Sequence, residues 1–69
     1  DTVFIAEVGL TGELKKVPNL SERLIELDRM GYKKVYISND VVDTKNLKTL
    51  KVEKSKTLKE VIDKVFKNA

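Results

Sequence analysis

Few residues of this sequence could carry covalent chemistry. The serines are Ser21, Ser38 and Ser55, and there is no histidine. A serine hydroxyl must lose its proton to a base to act as a nucleophile, so only a serine–lysine pairing is open. Ser21 falls in the first turn of an expected helix, where a hydroxyl ordinarily bonds the local backbone. There is no cysteine either. That removes disulfides, zinc sites of the usual Cys/His kind and every triad built on histidine. Carboxylates could act as acid and base or hold magnesium. Glu22 and Glu26 stand four apart with Arg23 and Arg29 among them, which describes a solvated, ion-paired helix face. Glu7, at the end of an apolar run, reads as an outward-pointing strand residue. Gly9-x-x-Gly12 lies within a hairpin rather than at a strand-to-helix turn, and it has no nucleotide-loop spacing. No metal or cofactor site is expected in this chain.

Binding chemistry is better represented. The chain carries 14 basic and 11 acidic groups, a net charge of +3. Residues 1–44 hold six basic and eight acidic groups, whereas residues 45–69 hold eight lysines against Glu53, Glu60 and Asp63. A basic half suggests an anionic partner, although such lysines also serve simply as a solvated surface. Lys45, Lys48, Lys51 and Lys54 recur every three residues, followed by Lys56 and Lys59. That spacing keeps them on one face of neither a helix nor a strand. They form at most a basic rim meeting phosphates, with Lys48, Lys51, Lys54 and Lys56 as the candidate DNA contacts. No aromatic residue is interleaved among them, so a stacking platform for single strands is not expected. Contact with DNA would then be to the backbone, without sequence readout.

The elements that position these residues can be read from periodicity and punctuation. Val3–Ala6 followed by Glu7-Val8-Gly9 predicts a strand buried over most of its length. Leu10-Thr11-Gly12 predicts a three-residue hairpin loop leading into a strand over Glu13–Val17, which Pro18 ends. Asn19 and Glu22 have the spacing of a capping box. Leu20, Leu24 and Leu27, widened by Ile25, predict a helix over about 20–30, closed by Gly31 with Tyr32 folding back on Leu27. Lys33–Ile37 predicts a third strand, parallel to the first through a right-handed β-α-β unit. Ser38–Asn46 reads as a polar loop with room for one helical turn, and Leu50–Val52 as a short fourth strand. Thr57 and Glu60 form a second capping box. Leu58, Val61, Ile62, Val65 and Phe66 then make a full amphipathic stripe. The expected fold is α/β of α+β type: a β-hairpin, then helix, strand, strand, helix, with both helices on one sheet face.

Sixty-nine residues allow one domain, residues 1–69. A chain of this length buries only about 60% of the surface its unfolded form exposes. With no disulfide or metal to staple it, support from missing sequence or from a partner is expected. The start at Asp1-Thr2-Val3, without methionine and directly before a strand, reads as an excised piece of a larger protein. No signal pattern or membrane-length apolar run is present, and a soluble, cytoplasmic chain is expected.

The run Glu7-Val8-Gly9-Leu10-Thr11-Gly12-Glu13-Leu14, then Val17-Pro18 and Glu22-Arg23-Leu24, resembles the C-terminal domain of bacterial RadA/Sms DNA-repair proteins. Gly31-Tyr32-Lys33-Lys34, Leu50-Lys51-Val52 and Thr57-Leu58-Lys59-Glu60-Val61 extend the likeness over almost the whole chain. Ala6 stands where the family often has glycine. The hairpin motif is fairly specific to the family; the rest is generic α/β. The resemblance implies a Lon-protease-like half-domain of the ribosomal protein S5 domain 2-like fold. Lon proteases carry the lysine of a Ser-Lys dyad at the start of the matching helix. Here Ser21 occupies that place, so the resemblance implies no peptidase activity. It further implies a parent with a zinc finger and a RecA-like ATPase core, acting in recombination as a hexameric, DNA-bound branch-migration motor. ATP, magnesium and zinc would belong to the parent alone. The partners implied are the rest of the polypeptide, further copies through the parent, and the DNA backbone, with no membrane. Two other readings stay open: an inactive or partial Lon-type ATP-dependent protease domain, and a structural module of another ATPase with this fold, such as a competence-related or magnesium-chelatase-like protein. Position 21, lysine in the protease and serine here, separates the RadA-type reading from the protease.

Overall fold

A computed structural model describes residues 1–67. In chain order the elements are β1 (Thr2–Ile5), β2 (Glu7–Val8), β3 (Leu14–Lys15), α1 (Leu20–Arg29), β4 (Lys34–Ser38), β5 (Lys51–Ser55) and α2 (Leu58–Phe66). β1, β4 and β5 form a three-stranded sheet in the order β1-β4-β5. Both pairings are parallel, with Val3 opposite Val35 opposite Val52, and Phe4 opposite Tyr36 opposite Glu53. The expected parallel arrangement of the strands flanking α1 is therefore present. The small β2–β3 ladder is antiparallel and separate from the main sheet.

Side chains alternate across a strand, so Val3, Ile5, Val35, Ile37 and Val52 share one sheet face. Leu20 and Leu24 of α1 cover it, forming with Val35, Ile37 and Leu50 the buried core. Val17, Leu27, Tyr32, Val42 and Leu47 close its margins. No α2 residue belongs to this cluster, so the expectation of both helices on one sheet face is not met: Lys64 of α2 reaches Ser55, whose side chain lies on the opposite face by strand alternation. α2 is fastened at the carboxyl end of β5. Lys64 Nζ donates to Ser55 Oγ at 3.0 Å and to the Lys54 carbonyl. The hairpin joins this corner: Leu14 N–H donates to Lys56 O at 2.9 Å and Leu58 N–H to Gly12 O at 2.8 Å.

Several local expectations change. β1 is an edge strand with only alternate residues half-buried, because one of its faces lies open. The hairpin pairs Glu7 with Lys15 and Val8 with Leu14, so its loop spans five residues, Gly9 to Glu13, instead of three. Within that loop Gly9 N–H donates to Glu13 O at 2.8 Å, and Gly12 sits at φ +88°, where glycine carries no steric penalty. The Asn19 capping box does not form: Asn19 is left-handed (φ 57°) and its side chain makes no cap hydrogen bond. Asparagine tolerates that conformation better than most residues. Residues 39–50 contain a turn closed by Leu47 N–H to Thr44 O at 3.2 Å, not a helical turn. β5 continues to Ser55, beyond the expected Val52.

Other expectations hold. Gly31 (φ +92°) ends α1, with Tyr32 N–H bonded to Leu27 O and Gly31 N–H to Asp28 O, the two bonds of a Schellman end. At α2, Glu60 N–H donates to Thr57 Oγ1 at 3.2 Å. The Glu60 carboxylate reaches back to Lys56 N–H at 2.7 Å, one residue before the cap. The apolar stripe of α2, however, is mostly uncovered. Val61 is buried, whereas Ile62 and Val65 are about half exposed and Phe66 is 64% exposed.

Candidate functional site

Among the described residues one serine–lysine pair forms, and it is not at Ser21. Ser55 Oγ and Lys64 Nζ meet at 3.0 Å because β5 ends where α2 turns back within reach of a lysine side chain. Their nine-residue spacing matches no helical or strand period, so sequence reading missed it. Ser55 is only 2% exposed, and Lys64 also donates to a carbonyl. Both contacts fasten α2 to the end of β5. Beside Ser55 in the sheet register lies Ser38, 1% exposed, its hydroxyl without a hydrogen-bond partner. Ser21 is half-buried in the first turn of α1. Among the described residues no cluster of acidic, histidine or cysteine side chains is arranged to hold a metal ion.

The glycine-rich hairpin is built around a carboxylate. Glu13 accepts from Thr11 N–H at 3.1 Å and from the Thr11 hydroxyl. A Cβ on Gly9 would overlap that carboxylate, so glycine is required for Glu13 to fold beneath the loop. The hydrogen bond from the Thr11 side chain holds the Glu13 carboxyl below the usual range. At the loop tip Leu10 is fully exposed. Glu7 is exposed opposite Lys15, an outward strand position.

A second organised carboxylate escaped the sequence reading altogether. Asp28, in the last turn of α1, accepts from the backbone N–H groups of Lys48, Thr49 and Leu50, each at 2.9 Å, and from the Thr49 hydroxyl. These donors, the Lys48 N–H first, lower its pKa from 3.8 to about 2. The contact ties the long loop to α1 immediately before β5.

The lysines singled out by their spacing fall into separate places. Lys48, Lys51, Lys54 and Lys56 are all exposed. The backbone of Lys48 is engaged by Asp28. Lys51 opens β5 in register with Lys34. Lys54 points to the opposite sheet face from Lys51, by strand alternation. Lys56 follows β5, bonded through its carbonyl to Leu14, which brings it beside Lys15. Lys54 therefore lies on the α1 face with Val52, whereas Lys64 reaches Ser55 on the other face, and the amino end of β5 sets Lys51 beside Lys34.

The other candidate surface is the uncovered ridge of α2. Leu58, Ile62 and Phe66 recur every four residues, with Val65 beside them. Ile62 and Phe66 border an open depression whose other walls are Glu60, Asp63, Lys64 and Lys67. No helix among the described residues is long and apolar enough to cross a membrane. Exposed apolar ridges rimmed by charge mark protein-interaction sites.

Comparison with known proteins connects the chain to one group. Over 64 residues, 91% of this chain, it is 34% identical to the DNA repair protein RadA of Streptococcus pneumoniae. It is equally similar to RadA of Listeria monocytogenes. A shorter stretch of 33 residues is 42% identical to RadA of Streptococcus pyogenes. The chain is homologous to a segment of these proteins and spans only 15% and 14% of the length of the first two. No family model and no solved structure matches it.

Proposed function

We propose that this chain is a non-catalytic module of a RadA-type DNA-repair protein, supporting assembly and weak contact with the DNA backbone. The observation that carries the reading is the homology over 91% of the chain. The position of the module in a Lon-like half-domain, and a parent that is a hexameric ATPase with zinc, belong to the same proposal. Two features of the molecule support it. The α2 ridge offers an apolar surface for assembly with the remainder of such a protein or with further copies. Lys54 and Lys56 offer exposed positive charge that is in no salt bridge among the described residues. The candidate contacts remain Lys48, Lys51, Lys54 and Lys56, now joined by Lys15 from the hairpin.

Titration of labelled duplex DNA with the chain over a salt series tests the DNA part. About three neutralised phosphates give a log–log salt slope near −3 and a dissociation constant around 10⁻⁴ M. Changing Lys54 and Lys56 to Glu abolishes that binding, and Lys15→Glu weakens it comparably, because Lys15 lies beside Lys56. No binding at low salt removes the DNA role and leaves the lysines as a solubilising surface, whereas binding that ignores all three changes moves the contact away from these lysines.

A further inference from the structure

The open side of α2 carries its charges in a fixed order along the helix. Ile62 and Phe66, about one turn apart, are exposed, and so is Val65. The depression that Ile62 and Phe66 border is walled by Glu60 and Asp63 toward the amino end of the helix and by Lys64 and Lys67 toward its carboxyl end. Two of these four groups are already engaged: Glu60 accepts from Lys56 N–H, and Lys64 donates to Ser55 and to the Lys54 carbonyl. Asp63 and Lys67 are exposed. Residues four apart are neighbours on a helix surface, yet these two form no ion pair; the one such pair among the described residues is Arg29 with Glu26. The rim of the ridge therefore offers one carboxylate and, a turn later, one ammonium. That order decides what fits. A strongly acidic or strongly basic partner meets as much repulsion as attraction. A second copy laid parallel sets carboxylate on carboxylate and ammonium on ammonium, which is unfavourable. A second copy laid antiparallel, about a two-fold axis near Phe66, sets each Asp63 against the other copy's Lys67 and brings the two Phe66 rings together. One patch then meets itself, as two-fold interfaces require. The nine residues of α2 rise only about 14 Å, so the contact falls in the small, transient class of interfaces.

We propose that α2 is a self-recognition helix: two copies of the chain associate through antiparallel α2 ridges, covering Ile62, Val65 and Phe66, with two Asp63–Lys67 contacts setting the direction. This rests on the assembly role proposed above and deepens it, naming the partner as a second copy and the geometry as two-fold.

The test is sedimentation velocity over a concentration series at low salt, for the unsubstituted chain, for Asp63→Lys, for Lys67→Asp, and for an equimolar mixture of the two variants. Each variant alone is expected to associate at least about five-fold more weakly, because two attractive surface contacts become repulsive. The mixture should regain the association of the unsubstituted chain, since both lysines of one variant then face both aspartates of the other. A parallel pair or an ion pair within one helix predicts no such rescue. High salt should shrink all these differences. Both positions are exposed, and circular dichroism checks that each variant is folded. Association that ignores both reversals, or a mixture no tighter than its components, overturns the antiparallel pair and leaves assembly through the ridge standing. A chain that stays monomeric at every concentration overturns self-recognition and leaves the ridge to the remainder of a longer protein.

Discussion

The two helices are a controlled contrast in what holds an amphipathic helix in place. α1 has no side-chain cap at its start, yet Leu20 and Leu24 are buried and its end is closed by Gly31 and tied to the loop through Asp28. α2 begins on a formed Thr57 cap and carries the stronger apolar stripe, yet buries only Val61. Local signals therefore specify that each segment is helical, and tertiary contact decides separately whether its apolar face is satisfied. α1 is held by the core, α2 by its first turn and by Lys64.

The sharpest way to break this contrast is to empty the core under α1. Leu24→Ala is expected to cost about 3 kcal/mol, in the usual range for a buried leucine. Total stability for a chain of this length is on the order of 3–10 kcal/mol, so this variant should be largely unfolded in modest urea. A loss below about 1 kcal/mol in equilibrium unfolding would mean that α1 is no better packed than α2.

Asp28 gives α1 a second anchor, visible through pH. Its pKa is lowered in the folded state, from 3.8 to about 2, so in this window the unfolded chain binds more protons than the folded one. Its contribution to stability is then fully present above about pH 4 and is lost as pH falls through about 2. Asp28→Asn should flatten the stability–pH profile over that interval and loosen residues 48–50 in amide exchange. An unchanged profile would assign the acid sensitivity to other carboxylates.

The helix starts should respond in opposite directions. Thr57→Ala removes a formed cap and should cost about 1 kcal/mol. Asn19→Gly removes no cap bond and relieves a left-handed backbone, so it should be neutral or stabilising by up to about 1 kcal/mol. If both changes destabilise equally, Asn19 is capping α1 in solution after all.

Sequence legibility divides along the same line. The helices, the Gly31 stop, the Thr57 cap and the central strand follow from periodicity and from residues whose local chemistry is nearly unique. The Asn19–Glu22 spacing fits a capping box and a left-handed asparagine equally, so it does not distinguish them. The Lys34–Lys51 row, the Ser55–Lys64 contact and the Asp28 nest depend on strand register and chain return, and no local pattern encodes these. The extent of α2 burial could not be read at all, since an amphipathic stripe has the same sequence whether it meets its own chain or another.

The smallest expected effect is the most informative about α2. Changing Ile62 and Phe66 together to Ser removes the exposed ridge without touching Val61 or the Thr57 cap. Ile, Phe and Ser have similar intrinsic helix propensity, so the backbone preference for helix is nearly unaltered. Exposed positions usually shift stability by no more than about 0.5 kcal/mol, and urea unfolding of the double variant should match the parent chain within that margin. Its association should not match. The ridge is the apolar surface proposed for assembly, so the unsubstituted chain is expected to show concentration-dependent sedimentation that the double variant lacks. Equal sedimentation with equal stability would remove the ridge from any role in self-assembly. A loss near 2 kcal/mol would place Ile62 and Phe66 against the body of their own chain, and the distinction between the two helices would disappear.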